Sequence, residues 1–280
     1  MMNNPELFRQ SNGATRAATM DLLEEYTAKI KWRKGADSAI DIGSADGSVT
    51  SLIKKHMPCN DVTFVGCDIS EVMVQYAKSR HSGENITFRA LDIAGDLPDD
   101  LKSDFNHVFS FFTLNCVKDQ KQAFENIYNL LTNGGDTLLA IIQSVPMYDI
   151  LSHVAEDSKW SSSWLKDLEK FISPYYKMQE PEKIITQMME KIGFTNIDVK
   201  TKTMMYQMKN GLEVKNLMKS VQPFDLPDDV FEDLAMDCVP VAQARDLLDK
   251  TDNSFEDRDK PIPYTYTLLV VYANKPLIKC

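Results

Sequence analysis

The side chains and spacings best suited to chemistry lie in the run Asp41-Ile-Gly-Ser-Ala-Asp-Gly47, with Asp68 answering it at the end of the next apolar run. Glycine has no Cβ and tolerates positive φ, so Gly43 and Gly47 after a strand let the backbone approach a ligand closely. An acid at the tip of the following strand can accept hydrogen bonds from a ribose diol. The spacing suits a ligand lying beyond the carboxyl ends of parallel strands, near the point where strand order reverses. The chemistry indicated is the holding of a nucleoside-containing cofactor, although a bare strand-to-helix connection would carry similar glycines.

The flanking acids narrow the cofactor. A dinucleotide fingerprint reads G-x-G-x-x-G, with a helix N-terminus facing a pyrophosphate. Here the third loop glycine is missing, and Asp41 and Asp46 would repel a pyrophosphate, which counts against a nicotinamide-dependent oxidoreductase. Two carboxylates suit a ligand with a cationic amino-acid end, and S-adenosylmethionine carries an ammonium and a sulfonium. The pattern D-I-G-S-A-D-G-S resembles the first motif of class I methyltransferases, with Ala45 where the middle glycine usually falls.

A series of acid-tipped strands must position this loop. Thr63 to Asp68 reads as an apolar strand, and Ser70 is a natural N-cap for a helix in which Met73, Tyr76 and Ala77 fall at helical spacing. Ile86 to Asp92 reads as a third strand, and in class I methyltransferases an acid at that place contacts the adenine amino group. Asp92 fits a turn cap equally well. Phe105 to Phe112 is an apolar strand, followed by a helix from about Gln120 to Leu131, a glycine C-cap at Asn133-Gly134-Gly135, and a fifth strand from Asp136 to Ile142. The fold expected is α/β, a Rossmann-like class I methyltransferase sheet of seven mostly parallel strands with helices on both faces and a helical lid.

After residue 142 the alternation pauses. Residues 143–190 are helical in tendency, rich in aromatics and punctuated by Pro146, Pro174 and Pro181, as expected of a lid over the carboxyl edge of the sheet. Gly193 to Tyr206 is a strand. Leu212 to Asp249 gives helices broken at Pro223 and Pro227, and Tyr264 to Ala273 is a last strand that would close the sheet as an antiparallel hairpin. The chain thus reads as one methyltransferase domain over 1–280, with a cofactor half at 1–142 and lid insertions at 143–190 and 207–262. The acidic tract from Asp249 to Asp259 reads as a solvated loop.

Composition points to a cytoplasmic enzyme. The 280 residues are 43% hydrophobic, ample for a core, and no signal peptide or membrane span is evident. The five cysteines form no C-x-x-C pair, and the four histidines show no ligand spacing, so free thiols and no metal site are expected. A net charge of −10 disfavours a nucleic-acid substrate. The D/N-P-P-Y/F signature of amino-group methyltransferases is absent, with Ser110-Phe111-Phe112-Thr113 in its place.

A closer resemblance rests on Ile40 to Thr50, Val65 to Met73, His107 to Leu114 and Phe171-Ile-Ser-Pro-Tyr175, together with Lys159-Trp160 and Trp164-Leu165 in the lid. These segments resemble the insect juvenile hormone acid O-methyltransferases, and the likeness runs from the N-terminus to the last strand. The resemblance implies methyl transfer from S-adenosylmethionine to the carboxylate of a sesquiterpenoid acid, farnesoic acid or its epoxide, and makes a homodimer plausible. It implies cofactor contacts from Asp41, Gly43, Ser44, Ala45, Gly47, Asp68, Ile69, Met73, Asp92, Ile93, Ser110 and Phe111, and a substrate pocket from Cys116, Val145, Trp160, Trp164 and Ile172. Two places depart from the family pattern: Thr113-Leu114-Asn115-Cys116 stands where T-L-H-W is usual, and Thr15 where a glutamine is common.

A carboxylic acid with a pKa of roughly 4 to 5 is ionised at neutral pH, so its attack on a sulfonium methyl needs no general base. Alignment and desolvation then carry the reaction. The carboxylate needs only weak donors to orient it, and Thr15, Asn115, Gln143 and Tyr148 are the candidates. Each has a plainer reading: Asn115 as a turn cap, Thr15 on an outer helix face, and the lid aromatics as core. Met188, Met189, Met204, Met205 and Met208 fit either a greasy tunnel or ordinary gap filling. The alternatives are a methyltransferase-derived binding protein without turnover, which the two departures suggest, and a methyltransferase acting on another small apolar carboxylic acid.

Overall fold

The computed structural model describes residues 4–58, 61–83, 85–224 and 226–277. Two helices, α1 (Pro5–Ser11) and α2 (Gly13–Tyr26), precede an alternating stretch: β1 (Asp37–Ile42), α3 (Ser48–His56), β2 (Val62–Asp68), α4 (Glu71–His81), β3 (Ile86–Ala90), β4 (Phe105–Phe111), α5 (Gln120–Leu130) and β5 (Leu131–Ser144). The rest comprises α6 (Pro146–Val154), α7 (Ser158–Ser161), α8 (Pro181–Ile192), β6 (Thr195–Met208), α9 (Gly211–Val221), α10 (Asp228–Gln243) and β7 (Ile262–Asn274).

Seven strands form one sheet in the order β3-β2-β1-β4-β5-β7-β6. Strands β1 to β5 pair in parallel, and β7 runs antiparallel between β5 and β6. The expected mostly parallel sheet is therefore present, but β6 and β7 are joined through α9 and α10 rather than by a tight hairpin. Strand order reverses between β1 and β4, which puts the Gly43 loop and the segment after Phe111 side by side at the switch point.

Alternation along each strand builds a core on each face. Ala39, Phe64, Phe109, Leu138, Leu268 and Val270 enter one cluster with α2, α3, α6, α9 and α10. Ile40, Val65, Val108, Leu139, Leu269 and Val271 enter the other with Phe124 and Ile127 of α5 and Ile185 and Met189 of α8. Such continuously apolar strands are what a sheet covered on both faces requires.

Caps explain several boundaries. Ser70 accepts from the Met73 N–H at 3.4 Å at the start of α4, as its sequence position predicts, and Asp119 accepts from the Gln122 N–H at 2.9 Å at the start of α5. The expected glycine C-cap at 133–135 is a correction. Helix α5 ends at Leu130, and Leu131 turns extended (φ −70°, ψ 138°) to pair with Phe105. Gly134, at φ 84°, belongs to a bulge in β5, where Gly134 donates to the Lys275 carbonyl and Lys275 to that of Gly135. The acidic tract is also more ordered than a solvated loop: Ser254 and Asp257 form a capping box, and Arg258 pairs with Asp249. Among the described residues, no helix is long and apolar enough to cross a membrane.

Candidate active site

The turn after β1 is shaped by three positive φ angles, 79° at Gly43, 44° at Ala45 and 81° at Gly47. Ala45 holds a conformation that a glycine adopts without strain. Its N–H donates to Asp68 Oδ2 at 3.0 Å, while the Ser70 N–H donates to Oδ1 at 2.8 Å. Asp68 is thereby clamped between the β1 loop and the start of α4. Burial raises the pKa of its carboxyl, opposed by those two N–H groups.

The N-terminal helices complete the turn. Asn12 joins α1 to α2 but does not cap α2 with its side chain. Instead Asn12 Nδ2 donates to Asp46 Oδ1 at 3.3 Å and to Ser48 Oγ at 3.0 Å, and Ser48 Oγ donates to the same Asp46 oxygen at 2.8 Å. Asp46 Oδ2, Ser44 Oγ, Asn12 Oδ1 and Asn115 Oδ1 are buried without any hydrogen-bond partner. Buried polar atoms are nearly always satisfied, so these four unpartnered atoms leave hydrogen-bonding capacity unused beside the turn.

Ser44, Asp46 and Asn115 all line a cavity of about 430 Å³. Gly43, Ala45, Asp68 and Ile69 share its loop side, with Phe111, Phe112 and Thr113 beyond β4. Its remaining wall is apolar and comes from the lid segments: Val145, Met147, Tyr148 and Phe171 on one side, Leu217, Met218 and Val221 of α9 on another, closed by Tyr264 and Tyr266 of β7. Phe171 and Tyr176 pack edge-on against Tyr148, with centroids 5.6 and 5.4 Å away, and burial raises the Tyr148 phenol pKa. Among the lining residues the charged groups are Asp46, Asp68 and Lys170.

The candidates from the sequence divide accordingly. Thr15, Asn115, Tyr148, Cys116, Val145, Gly43, Ser44, Ala45, Asp68, Ile69 and Phe111 line the cavity. Asp41 does not: it turns under the loop to accept from Thr50 Oγ1 at 2.7 Å, and burial, with the Asp68 charge adding to it, pushes its pKa up to about 7. Gly47 backs onto α4 and β3, where an added Cβ would meet His81 and Phe88 at 2.9 and 3.0 Å. Met73 packs with Phe8 and Ala45 beneath the turn. Ser110 donates to the Ile42 carbonyl at 3.0 Å, which binds β4 to β1. Asp92 is exposed and caps its own turn through the Ala94 N–H at 2.9 Å, and Ile93 sits in the core. Neither is part of the lining, nor is Gln143.

In the lid, Trp160 is core rather than wall, its indole N–H donating to Asp237 Oδ2 at 2.8 Å. Trp164 is 38% exposed, and Ile172 packs against the core from outside the cavity. Of the two readings of the methionines, gap filling fits: Met189 and Met208 are buried in the cores, Met205 is 67% exposed, and the lining methionines are Met147 and Met218. Cys67 and Cys238 are buried free thiols and Cys116 an exposed one, while Cys59 and Cys280 lie outside the described residues. Sequence reasoning missed Asn12, Phe8, Thr113, Leu217, Met218, Tyr264 and Tyr266. Only the tyrosine pair carried a signal, since Tyr264-Thr-Tyr266 alternates at strand period in a segment already assigned as a strand.

A family model described as a methyltransferase domain matches residues 33–193. The chain is 43% identical over 274 residues to the juvenile hormone acid O-methyltransferase of Bombyx mori, covering 98% of each sequence. It is 32% identical over 281 residues to that of Drosophila melanogaster, covering 98% of this chain and 93% of the relative. Among solved structures, phosphoethanolamine N-methyltransferase 2 of Haemonchus contortus, in complex with S-adenosyl-L-methionine, aligns with a TM-score of 0.57 at 16% identity. That match covers 99% of this chain and 57% of the other, a likeness of fold alone. The full-length match to two curated relatives, on a methyltransferase sheet whose loop and lid enclose one cavity, establishes that the chain belongs to the juvenile hormone acid O-methyltransferase family.

Proposed function

We propose that this protein transfers a methyl group from S-adenosylmethionine to the carboxylate of a sesquiterpenoid acid, farnesoic acid or its epoxide. One observation carries the reading: a single cavity joins a polar end, at Ser44, Asp46 and Asp68, to an apolar end under the lid, and Thr15, Asn115 and Tyr148 line that same cavity. The orphaned Asp46 Oδ2 and Ser44 Oγ fit a cationic amino-acid end, and each Asp68 oxygen keeps a second lone pair for a ribose hydroxyl. When bound, S-adenosylmethionine supplies an electrophilic methyl on a positively charged sulfur.

The residues of this chain do the rest. Thr15, Asn115 and Tyr148 are neutral groups that orient a carboxylate without drawing off its charge. Rotating the Asn115 amide half a turn presents Nδ2 where the orphaned Oδ1 now lies. The apolar walls strip water from the attacking oxygen, and holding reactants in line can be worth roughly 7 to 11 kcal/mol. No proton must be removed, so a lining that holds no histidine among the described residues costs the reaction nothing.

Incubation with methyl-labelled S-adenosylmethionine and farnesoic acid or its epoxide tests the proposal. Labelled methyl ester is expected. A thermal shift with either acid but no ester would instead mean a binding protein without turnover.

A further inference from the structure

We propose that a second pocket, on the outer side of α3 and α4, binds a small phosphorylated ligand through its phosphate or diphosphate group. Arg16 of α2, Lys54 and Lys55 of α3, and Arg80 and His81 of α4 converge on it, together with Ser48 and Ser51. Among the described residues, none that line it is a carboxylate. Four lysine and arginine cations gathered on one pocket are conspicuous in a chain with a net charge of −10, although one of them, Lys54, already has partners that include the Val62 carbonyl at 3.5 Å.

The neighbours leave donors for an anion. Arg16 Nη1 donates to the Arg9 carbonyl at 3.2 Å, leaving its other N–H groups for a ligand. Arg80 lies over the Tyr76 ring at 4.8 Å, with only a long 3.5 Å contact to Glu6. His81 Nδ1 is 3.0 Å from Ser51 Oγ, and burial together with Arg80 and Lys55 lowers its pKa while Asp46 opposes this. An anion in the pocket would counter the two cations. Leu52, Met57 and Ile86 supply an apolar side for the rest of the ligand.

The class of ligand follows from charge and shape. A strongly negative protein repels extended polyanions, so a local basic pocket selects a compact anion rather than a nucleic acid. The pocket is distinct from the methyl-transfer cavity, although Ser48 lines it and also hydrogen-bonds Asp46 at 2.8 Å.

Calorimetric titration of inorganic pyrophosphate into full-length protein saturated with S-adenosylhomocysteine tests the proposal. Saturable binding that weakens as salt is raised is expected. The double variant Lys55→Glu, Arg80→Ala should lose at least tenfold in affinity with an unchanged melting temperature. As an independent readout on the unaltered chain, the His81 ring resonances should shift on pyrophosphate addition. No saturable binding at millimolar pyrophosphate, equal affinity in the variant, or unmoved His81 resonances would overturn it. So would binding that appears only without S-adenosylhomocysteine, which would put the anion in the first cavity.

Discussion

Gly43 and Thr113 share one space: a Cβ built on Gly43 would lie 1.9 Å from Thr113 Oγ1. The first residue follows β1 and the second follows β4, so the switch point of the sheet closes only because one of them has no side chain. Gly43→Ala should therefore destabilise the protein by about 2 kcal/mol or more, from the clash and the φ of 79° together, and abolish saturable S-adenosylhomocysteine binding. Thr113→Gly in the same chain should recover part of the stability. A double variant with a denaturant midpoint no higher than that of Gly43→Ala alone would refute the steric account.

Asp68 braces the turn after β1 and the start of α4 through two N–H groups at 3.0 and 2.8 Å. Asp68→Ala should weaken S-adenosylhomocysteine binding by tenfold or more in calorimetry, about 1.4 kcal/mol at the least. Because the Asp46 and Asp68 carboxyls are both raised, mainly by burial, a ligand that requires them ionised should bind more tightly as pH rises through their raised pKa values. A flat pH profile would count against that.

Asn115 separates a wall residue from its neighbours in sequence reasoning. Asn115→Ala should raise KM for the acid about tenfold, equivalent to about 1.4 kcal/mol, while leaving S-adenosylhomocysteine affinity in place. Gln143→Ala should change neither, since Gln143 is not part of the cavity lining. Steady-state kinetics on the pair checks both, and a raised KM in Gln143→Ala would place that side chain at the acid.

His107 lies at the opposite end of the sheet, 2.6 Å from Asp136 and 3.0 Å from Asp37, across β5, β4 and β1. Despite burial, which alone would lower it, the two carboxylates raise its pKa to about 9. The imidazolium's contribution, on the order of a few kcal/mol, is complete below the unfolded value of about 6.5 and is lost as pH rises through about 9. Asp37, lowered to about 2 chiefly by the His107 contact against the penalty of burial, is stabilising above about 3.8, and that support disappears as pH falls through about 2. Urea unfolding of His107→Asn should show a flatter alkaline limb than the unaltered chain.

Asp237 accepts from the Trp160 indole and from Lys159, each at 2.8 Å. Asp237→Ala strands a buried N–H and should cost roughly 1 to 3 kcal/mol, a fall of several degrees in Tm. kcat/KM at moderate temperature should stay within about twofold, because Trp160 supports the lid from outside the cavity. A large change in KM would return Trp160 to the pocket wall.

What the sequence determined by itself was whatever depends on local order along the chain. The glycine turn, the strand ending in Asp68, the Ser70 cap and the period of each apolar run are set by backbone sterics and by neighbours a few residues away, so they were legible before any coordinates. The destination of individual side chains was not. Asp41 and Asp46 are both acids of one loop, yet tertiary packing turns Asp41 to Thr50 and leaves Asp46 with Asn12, some thirty residues earlier in the chain. Asn133-Gly134-Gly135 had the residues of a helix cap, but pairing of Leu131 with Phe105 drew that segment into a strand instead. Trp160 and Tyr148 are lid aromatics of similar promise, and the difference between core and cavity wall came from Asp237 in α10. Contacts between residues distant in sequence decide which face of an element meets the ligand, and no local pattern encodes them.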